Sequence, residues 1–271
     1  MPELPEVETI CRELRKTIQG HTIIECEIFR PDYLRGGDSD QFIQSASGRR
    51  IESVDRRGKY IIWEIGVGRI VSHLGMTGKY IVQDESVKIP KHTVARFKFR
   101  DKSLLLNDVR RFGRLNLYLN GETISALESL GVEPFSENFD LKYISTIFKD
   151  RKRPVKELLL DQSIIAGIGN IYASEILYRA KIHPLSSGSH LSKAKLKRLI
   201  ESTKNILELA VDNAGTTISD YRRVDEKTGN FQNLLKVYGK EGCSCEFCQN
   251  EIKKIVFGGR SAFFCSGCQK I

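Results

Sequence analysis

Two Cys-x2-Cys pairs, Cys245/Cys248 and Cys265/Cys268, stand sixteen residues apart near the end of the sequence, and nothing else in it limits the fold so tightly. Four thiolates at that spacing suit one tetrahedral zinc ion held on two short knuckles joined by a β-hairpin. Such a coordination sphere is closed, so the ion is structural. Its binding energy of about 10–16 kcal/mol folds a segment too small to fold alone. Five of the seven cysteines lie between Cys243 and Cys268, a clustering that suits metal ligation in a reducing compartment better than a disulfide framework. Cys243 falls outside the two pairs, either a spare thiol or, by a shift of register with Cys245, an alternative ligand. Cys11 and Cys26 read as small core residues. Between the knuckles, Phe257-Gly258-Gly259-Arg260 reads as a hairpin tip whose arginine meets a phosphate or is simply solvated.

The rest of the chain is long enough, at 271 residues in all, for two ordinary domains. Residues 5–18 place Val7, Ile10, Cys11, Leu14 and Ile18 on one helical stripe with Gly20 just beyond it. From Thr22 to about Leu119 the period becomes strand-like: Ile24, Cys26 and Ile28 alternate, Tyr60 to Ile65 is a buried-type run, and Val94 to Arg100 alternates apolar with basic. An all-β sandwich or barrel with an N-terminal helix fits this stretch. Residues 120–150 read as helix and linker, 155 to about 214 as helical, and 215–233 as a polar loop. The expected division is therefore 1–135 for the β domain, 136–150 for the linker, 151–233 for the helical domain and 234–271 for the zinc hairpin.

Lys and Arg number 43 against 34 Asp and Glu, a net charge of +9, which points to a polyanionic partner such as nucleic acid or an acidic membrane. No segment has the make-up of a signal peptide or the length of a membrane span, so a soluble, cytoplasmic protein is expected. The sequence starts Met1-Pro2-Glu3-Leu4-Pro5-Glu6. Removal of Met before a residue as small as proline leaves a secondary amine with an α-amino pKa near ~7.7–8.0, close to the working pH that favours a nucleophile. Attack on a sugar or aldehyde carbon gives an iminium that acts as an electron sink, and Glu3 and Glu6 are near enough in sequence to move protons. With Met1 retained, that nitrogen is blocked. A plain chain start with a helix-initiating Pro5 is the competing reading.

Three internal segments add to this. Gly167-Ile168-Gly169-Asn170 joins two helical stretches and offers backbone N–H groups to a phosphate. Arg56-Arg57-Gly58-Lys59 leads into the strand at Tyr60. Asp108-Val109-Arg110-Arg111-Phe112-Gly113 sets paired arginines beside an aromatic ring, either an edge loop with Phe112 tucked into the core or chemistry able to enter a base stack and fill the gap left by an extruded nucleotide.

Taken in order, MPELPEVET, Arg-Arg-Gly-Lys-Tyr, Asp-Val-Arg-Arg-Phe-Gly, Ala-Gly-Ile-Gly-Asn-Ile-Tyr-Ala-Ser-Glu at 166–175, Val237-Tyr238-Gly239 and the cysteine quartet resemble the bacterial formamidopyrimidine-DNA glycosylases, also called 8-oxoguanine DNA glycosylases, over essentially the whole chain. The resemblance implies an α+β multidomain protein: an N-terminal β-sandwich with the catalytic helix, a helix-two-turn-helix domain and a four-cysteine zinc finger, with DNA bound across the cleft between domains. It implies a base excision repair enzyme, acting as a monomer. Oxidised purines would be removed from duplex DNA through a Schiff base at Pro2, and the strand cut at the abasic site by β,δ-elimination.

Carried over by residue, the resemblance makes Pro2 the nucleophile, Glu3 the acid/base and Glu6 a supporting carboxylate. Lys59 falls beside the reacting sugar phosphate. Lys59, Asn170, Tyr238 and Arg260 would grip the phosphates, Arg260 also assisting δ-elimination, while His73, His92, Arg111 and Arg151 fall at DNA-contact positions. Met76, Arg110 and Phe112 match the side chains that fill the void and address the orphaned cytosine; Lys156 lies near the damaged-base pocket, and the loop around 216–228 covers the base. One departure stands out: where the family commonly has Lys-His-Asp-His, this chain has Lys91-His92-Thr93-Val94. The alternatives are the sister endonuclease VIII branch acting on oxidised pyrimidines, against which the void-filling trio speaks, a DNA-binding protein without chemistry, and an RNA-binding zinc-ribbon protein, which leaves the N-terminus unexplained.

Overall fold

The computed structural model describes residues 1–35, 37–216 and 229–271. In chain order the elements are α1 Leu4–Ile18, β1 Glu25–Ile28, α2 Ser39–Ala46, β2 Ser53–Arg57, β3 Tyr60–Glu64, β4 Gly68–His73, β5 Lys79–Gln83, β6 Thr93–Lys98, β7 Ser103–Asn107, β8 Arg114–Leu119, α3 Ser125–Glu128, α4 Leu141–Phe148, α5 Val155–Leu160, α6 Asn170–Arg179, α7 Lys193–Asp212, β9 Ile252–Phe257 and β10 Arg260–Cys265. They fall into two compact units, Met1–Glu128 with Asn213–Gln232, and Ser129–Asp212 with Asn233–Ile271.

The first unit is a two-sheet sandwich with strand orders β1-β6-β7-β5 and β2-β3-β4-β8, every neighbouring pair antiparallel. Alternation explains it: in β3, Ile61 and Trp63 enter the core while Ile62 and Glu64 stay partly exposed. Val7, Ile10, Cys11, Leu14 and Ile18 of α1 join that same core, each 0–1% exposed. Full burial of such a side chain contributes about 1.5–3 kcal/mol, so this stripe fixes the helix against the sheets. Val94, in place of the family's second His, is a core residue beside the register shift between Thr93 and Ala95. An apolar side chain is what that position requires.

The second unit holds the helices and the β9–β10 hairpin. Residues 136–150 differ from the expected linker: Asp140 accepts the Tyr143 N–H at 2.7 Å and caps α4, whose Ile144 and Phe148 are buried. The polar run before Leu141 is thus a helix cap. The cysteine segment also packs within this unit, with Tyr178 of α6, Val237, Cys245, Ile252 and Cys265 forming one apolar cluster. Among the described residues, no helix is long and apolar enough to cross a membrane.

Candidate active site and nucleic-acid interface

Pro2 and Glu3 are buried at the start of α1, ahead of the first helical residue Leu4. The Glu6 carboxylate, 1% exposed, holds this start in place: one oxygen accepts the Glu3 N–H at 2.8 Å, the other the Thr216 N–H at 2.7 Å and the Thr216 hydroxyl at 3.0 Å. Gly215, at φ +73°, lies so close that a Cβ there would sit 2.7 Å from the same Glu6 oxygen. Glu6 therefore joins the start of α1 to Thr216, the residue that leads into 217–228. The base-covering loop expected around 216–228 lies, beyond Thr216, outside the described residues.

Lys59, 7% exposed, is in the two-residue turn between β2 and β3, after Gly58 at φ +57°. Glycine at that first turn position gives the backbone twist that antiparallel strands need. Arg56 pairs with Glu8 of α1 at 3.1 Å and donates to the Gly58 carbonyl at 3.0 Å, tying the turn to the helix. Across the sheet, Tyr60, His73 and Arg114 are register neighbours on β3, β4 and β8. Burial, reinforced by the positive charges of Arg114 and Lys59, holds His73 down at about 4. Its Nδ1 accepts the Gly75 N–H at 3.0 Å. The neutral ring therefore carries its proton on Nε2, as a donor.

Beyond β4, Met76 is 38% exposed, and after β7, Val109 and Phe112 are 57% and 55% exposed. Arg110 lies over the Phe112 ring at 4.7 Å, and Arg111, at φ +54°, pairs with Asp32 at 3.5 Å. Three apolar side chains left in water, two of them flanking Arg110 and Arg111, fit insertion into a base stack. His92 is exposed at φ +70°, and its carbonyl accepts the Asp108 N–H at 3.1 Å.

In the second unit, Asn170 opens α6 after a turn braced by Gln162, which accepts the Gly167 N–H at 2.9 Å and donates to the Ile168 carbonyl at 2.8 Å. Asn170 Oδ1 is buried with no hydrogen-bond partner among the described residues. The loop carrying Tyr238 hangs on Glu175, a buried α6 carboxylate that accepts the N–H groups of Lys236, Val237 and Tyr238 at 2.9, 2.9 and 2.8 Å. The hairpin tip has the expected form: Phe257 and Arg260 pair across Gly258 and Gly259, both at positive φ, and Arg260 is exposed. Lys156 is 1% exposed, reaching Ser174 Oγ at 3.1 Å and the Ser261 carbonyl at 2.6 Å, next to Arg260. Lys156, Arg153 and Arg260 line one cavity of about 390 Å³. Arg151 is exposed beyond α4.

The sulfurs of Cys245, Cys248, Cys265 and Cys268 all lie within 4.8 Å of one another, with contacts of 3.3, 3.4 and 3.8 Å. Zn–S bonds of about 2.3 Å give a tetrahedron with edges of about 3.8 Å, so the quartet fits the ion. Cys243 is exposed and outside this cluster, which removes the alternative register. A Cβ at Gly267 would lie 2.9 Å from the Cys248 sulfur, so the second knuckle depends on that glycine. The hydroxyl of Tyr178 lies 3.1 Å from the Cys245 sulfur, an outer-shell contact from α6.

Of the residues expected from sequence, the first unit gathers Pro2, Glu3, Glu6, Lys59, His73, His92, Met76, Arg110, Arg111 and Phe112; the second carries Arg151, Lys156, Asn170, Tyr238, Arg260 and the cysteines. Sequence reasoning passed over two carboxylates, Glu175 and Asp108. Both stand inside motifs it singled out, but nothing in an acid's immediate neighbours tells a buried acceptor from a solvated one.

A two-sheet sandwich that begins at a buried proline, in one chain with a helix-two-turn-helix and a four-thiolate finger, defines the class of helix-two-turn-helix DNA glycosylases. Comparison with known proteins gives the family. The formamidopyrimidine-DNA glycosylase N-terminal domain matches residues 1–115, the formamidopyrimidine-DNA glycosylase H2TH domain residues 130–222, and the zinc finger found in FPG and IleRS residues 245–271. Formamidopyrimidine-DNA glycosylase of an Exiguobacterium species is 40% identical over 100% of both chains. A Lactococcus lactis FPG mutant in complex with a Fapy-dG containing DNA superposes with a TM-score of 0.94 at 38% identity, covering 100% of both chains. The Lactococcus lactis Fpg in complex with an abasic site containing DNA gives 0.93 at 38% identity, covering 99% of this chain and 100% of that one. The chain belongs to the formamidopyrimidine-DNA glycosylase family.

Proposed function

We propose that this protein is a DNA glycosylase and abasic-site lyase that removes formamidopyrimidines and 8-oxoguanine from duplex DNA in the bacterial cytoplasm, with Pro2 as the nucleophile. The observation that carries this reading is the buried Pro2–Glu3 start of α1, locked by Glu6, in a chain that matches the family from end to end.

A base stacked in a duplex hides C1′, so the nucleotide must first be turned out, at a cost of a few kcal/mol. Met76 and Phe112 fill the space it leaves, Arg110 meets the orphaned partner base, and Lys59, Asn170, Tyr238 and Arg260 hold phosphates, with His73, His92, Arg111 and Arg151 adding contacts further out. Lys156 braces the Arg260 hairpin and supports the base pocket. The Pro2 nitrogen, freed of Met1, bonds to C1′ as the C1′–N bond to the damaged base breaks. Glu3 delivers a proton to the ring oxygen, which opens the sugar to the iminium. Loss of a C2′ proton to a base then expels the 3′ phosphate, a second elimination expels the 5′ phosphate, and water releases Pro2. Each positioned proton transfer contributes typically ~10²–10⁴ in rate. The zinc ion, when bound, supplies folding energy and no chemistry.

Pro2→Gly keeps an N-terminal amine but makes it primary. We expect single-turnover excision of 8-oxoguanine to fall at least about a hundredfold while lesion-DNA affinity holds within about threefold. Wild-type excision by this variant would remove Pro2 from the mechanism.

A further inference from the structure

The Asp108 side chain, 0% exposed, is the hub of a buried network that no step of the proposed chemistry uses. Oδ1 accepts from the Thr77 hydroxyl and from the Arg110 N–H at 3.2 Å; Oδ2 accepts from the Gly113 N–H at 3.0 Å and the Tyr33 hydroxyl at 3.2 Å. The Thr77 hydroxyl oxygen also receives the Arg110 N–H at 3.1 Å. One carboxyl group thus reaches both ends of the segment 110–113 and the residue after Met76. The two turns also touch directly, since a Cβ on Gly75 would lie 2.5 Å from the Phe112 carbonyl carbon and 2.6 Å from the Gly113 nitrogen.

We infer that Asp108 is a positioning residue for lesion capture: it clamps the Met76 turn to the Arg110–Phe112 turn, so that the exposed side chains of both meet the duplex as one preformed wedge. The inference rests on the proposed void-filling role of Met76, Arg110 and Phe112. Preorganisation matters because a wedge that must assemble on the DNA spends binding energy on its own ordering. Asparagine at 108 is nearly isosteric, yet it has one acceptor oxygen. The Tyr33 and Thr77 hydroxyls can turn to accept from its NH2, but whichever way the amide lies, the N–H of Arg110 or of Gly113 faces another donor. In one orientation Gly113 loses this acceptor and in the other Arg110 keeps only the Thr77 hydroxyl, so one end of the wedge loop is loosened while the core stays filled.

The test uses full-length Asp108→Asn, Thr77→Val and Phe112→Ala on a duplex with one 8-oxoguanine opposite cytosine and 2-aminopurine beside that cytosine. For Asp108→Asn we expect the 2-aminopurine rise on binding to fall and single-turnover excision to slow about 10–100-fold, with cleavage at a preformed abasic site changed less than about threefold. Thr77→Val, which cuts only the link to the Met76 turn, shifts the same readouts in the same direction by less, and serves if Asp108→Asn does not fold. Excision and abasic-site cleavage falling in parallel would make Asp108 a fold residue only and overturn the inference. So would a normal signal and normal excision in Asp108→Asn beside a lost signal in Phe112→Ala. A normal signal in Phe112→Ala itself would instead overturn the wedge reading.

Discussion

At His73 the environment decides which proton the side chain can offer. Its pKa of about 4, set first by burial and then by the charges of Arg114 and Lys59, keeps the ring neutral at pH 7, and the Gly75 N–H on Nδ1 leaves Nε2–H as the donor. The unfolded chain, with an ordinary histidine near ~6.5, binds the proton in the window between the two values, so stability must rise with pH from 4 to 6.5 and fall as acid is added. We expect His73 to cost up to about 3 kcal/mol of stability between pH 6.5 and 4, a loss absent in His73→Gln, and its ring resonances to stay neutral down to pH 5. A His73 titration near 6.5 by NMR would contradict this. Residues differ in how far sequence alone reveals them. The four cysteines and Pro2 are legible because spacing and terminal position are the chemistry itself. Asp108 and Glu175 are not, because their meaning lies in who donates to them, and those donors are backbone groups brought near by the fold.

The zinc hairpin is the element where local sequence and tertiary support divide the work. Two glycines at positive φ close its tip and place Arg260, while α6 holds the adjoining segment through Glu175, and Gln269 bridges the Cys265 N–H and the Ile182 carbonyl at 2.8 Å each. The turn and the ligand spacing can be read from residues 245–268. The docking on Tyr178 and Ile182 cannot, since it depends on a hydroxyl and a backbone carbonyl more than 60 positions away. The same limit explains α4, whose Asp140 cap and buried Ile144 and Phe148 belong to an eight-residue helix too short to declare itself by periodicity. Chelation of zinc should therefore melt the hairpin and lower DNA affinity at least about tenfold, while the thermal transition of the sandwich persists. Undiminished affinity in protein shown to be metal-free would mean that the finger does not hold DNA.

Over the whole molecule, a charge of +9 supplies attraction to a polyanion but no selectivity, and the proposed catalysis depends on one buried terminus. The resemblance carried in six short motifs spans both compact units, which is why the overall fold was legible; the division was less so, because Asn213–Gln232 belongs with the sandwich while Ser129–Phe148 and the finger belong with the helices. Chain order does not disclose such a return. The most direct measurement is borohydride trapping on duplex DNA with a single 8-oxoguanine opposite cytosine, followed by mass spectrometry of the adduct, using protein shown to lack Met1. The account predicts one reduced covalent bond, at the Pro2 nitrogen, and none in protein that keeps Met1. An adduct at Lys59 or Lys156, or no adduct in protein that excises the base, would contradict it.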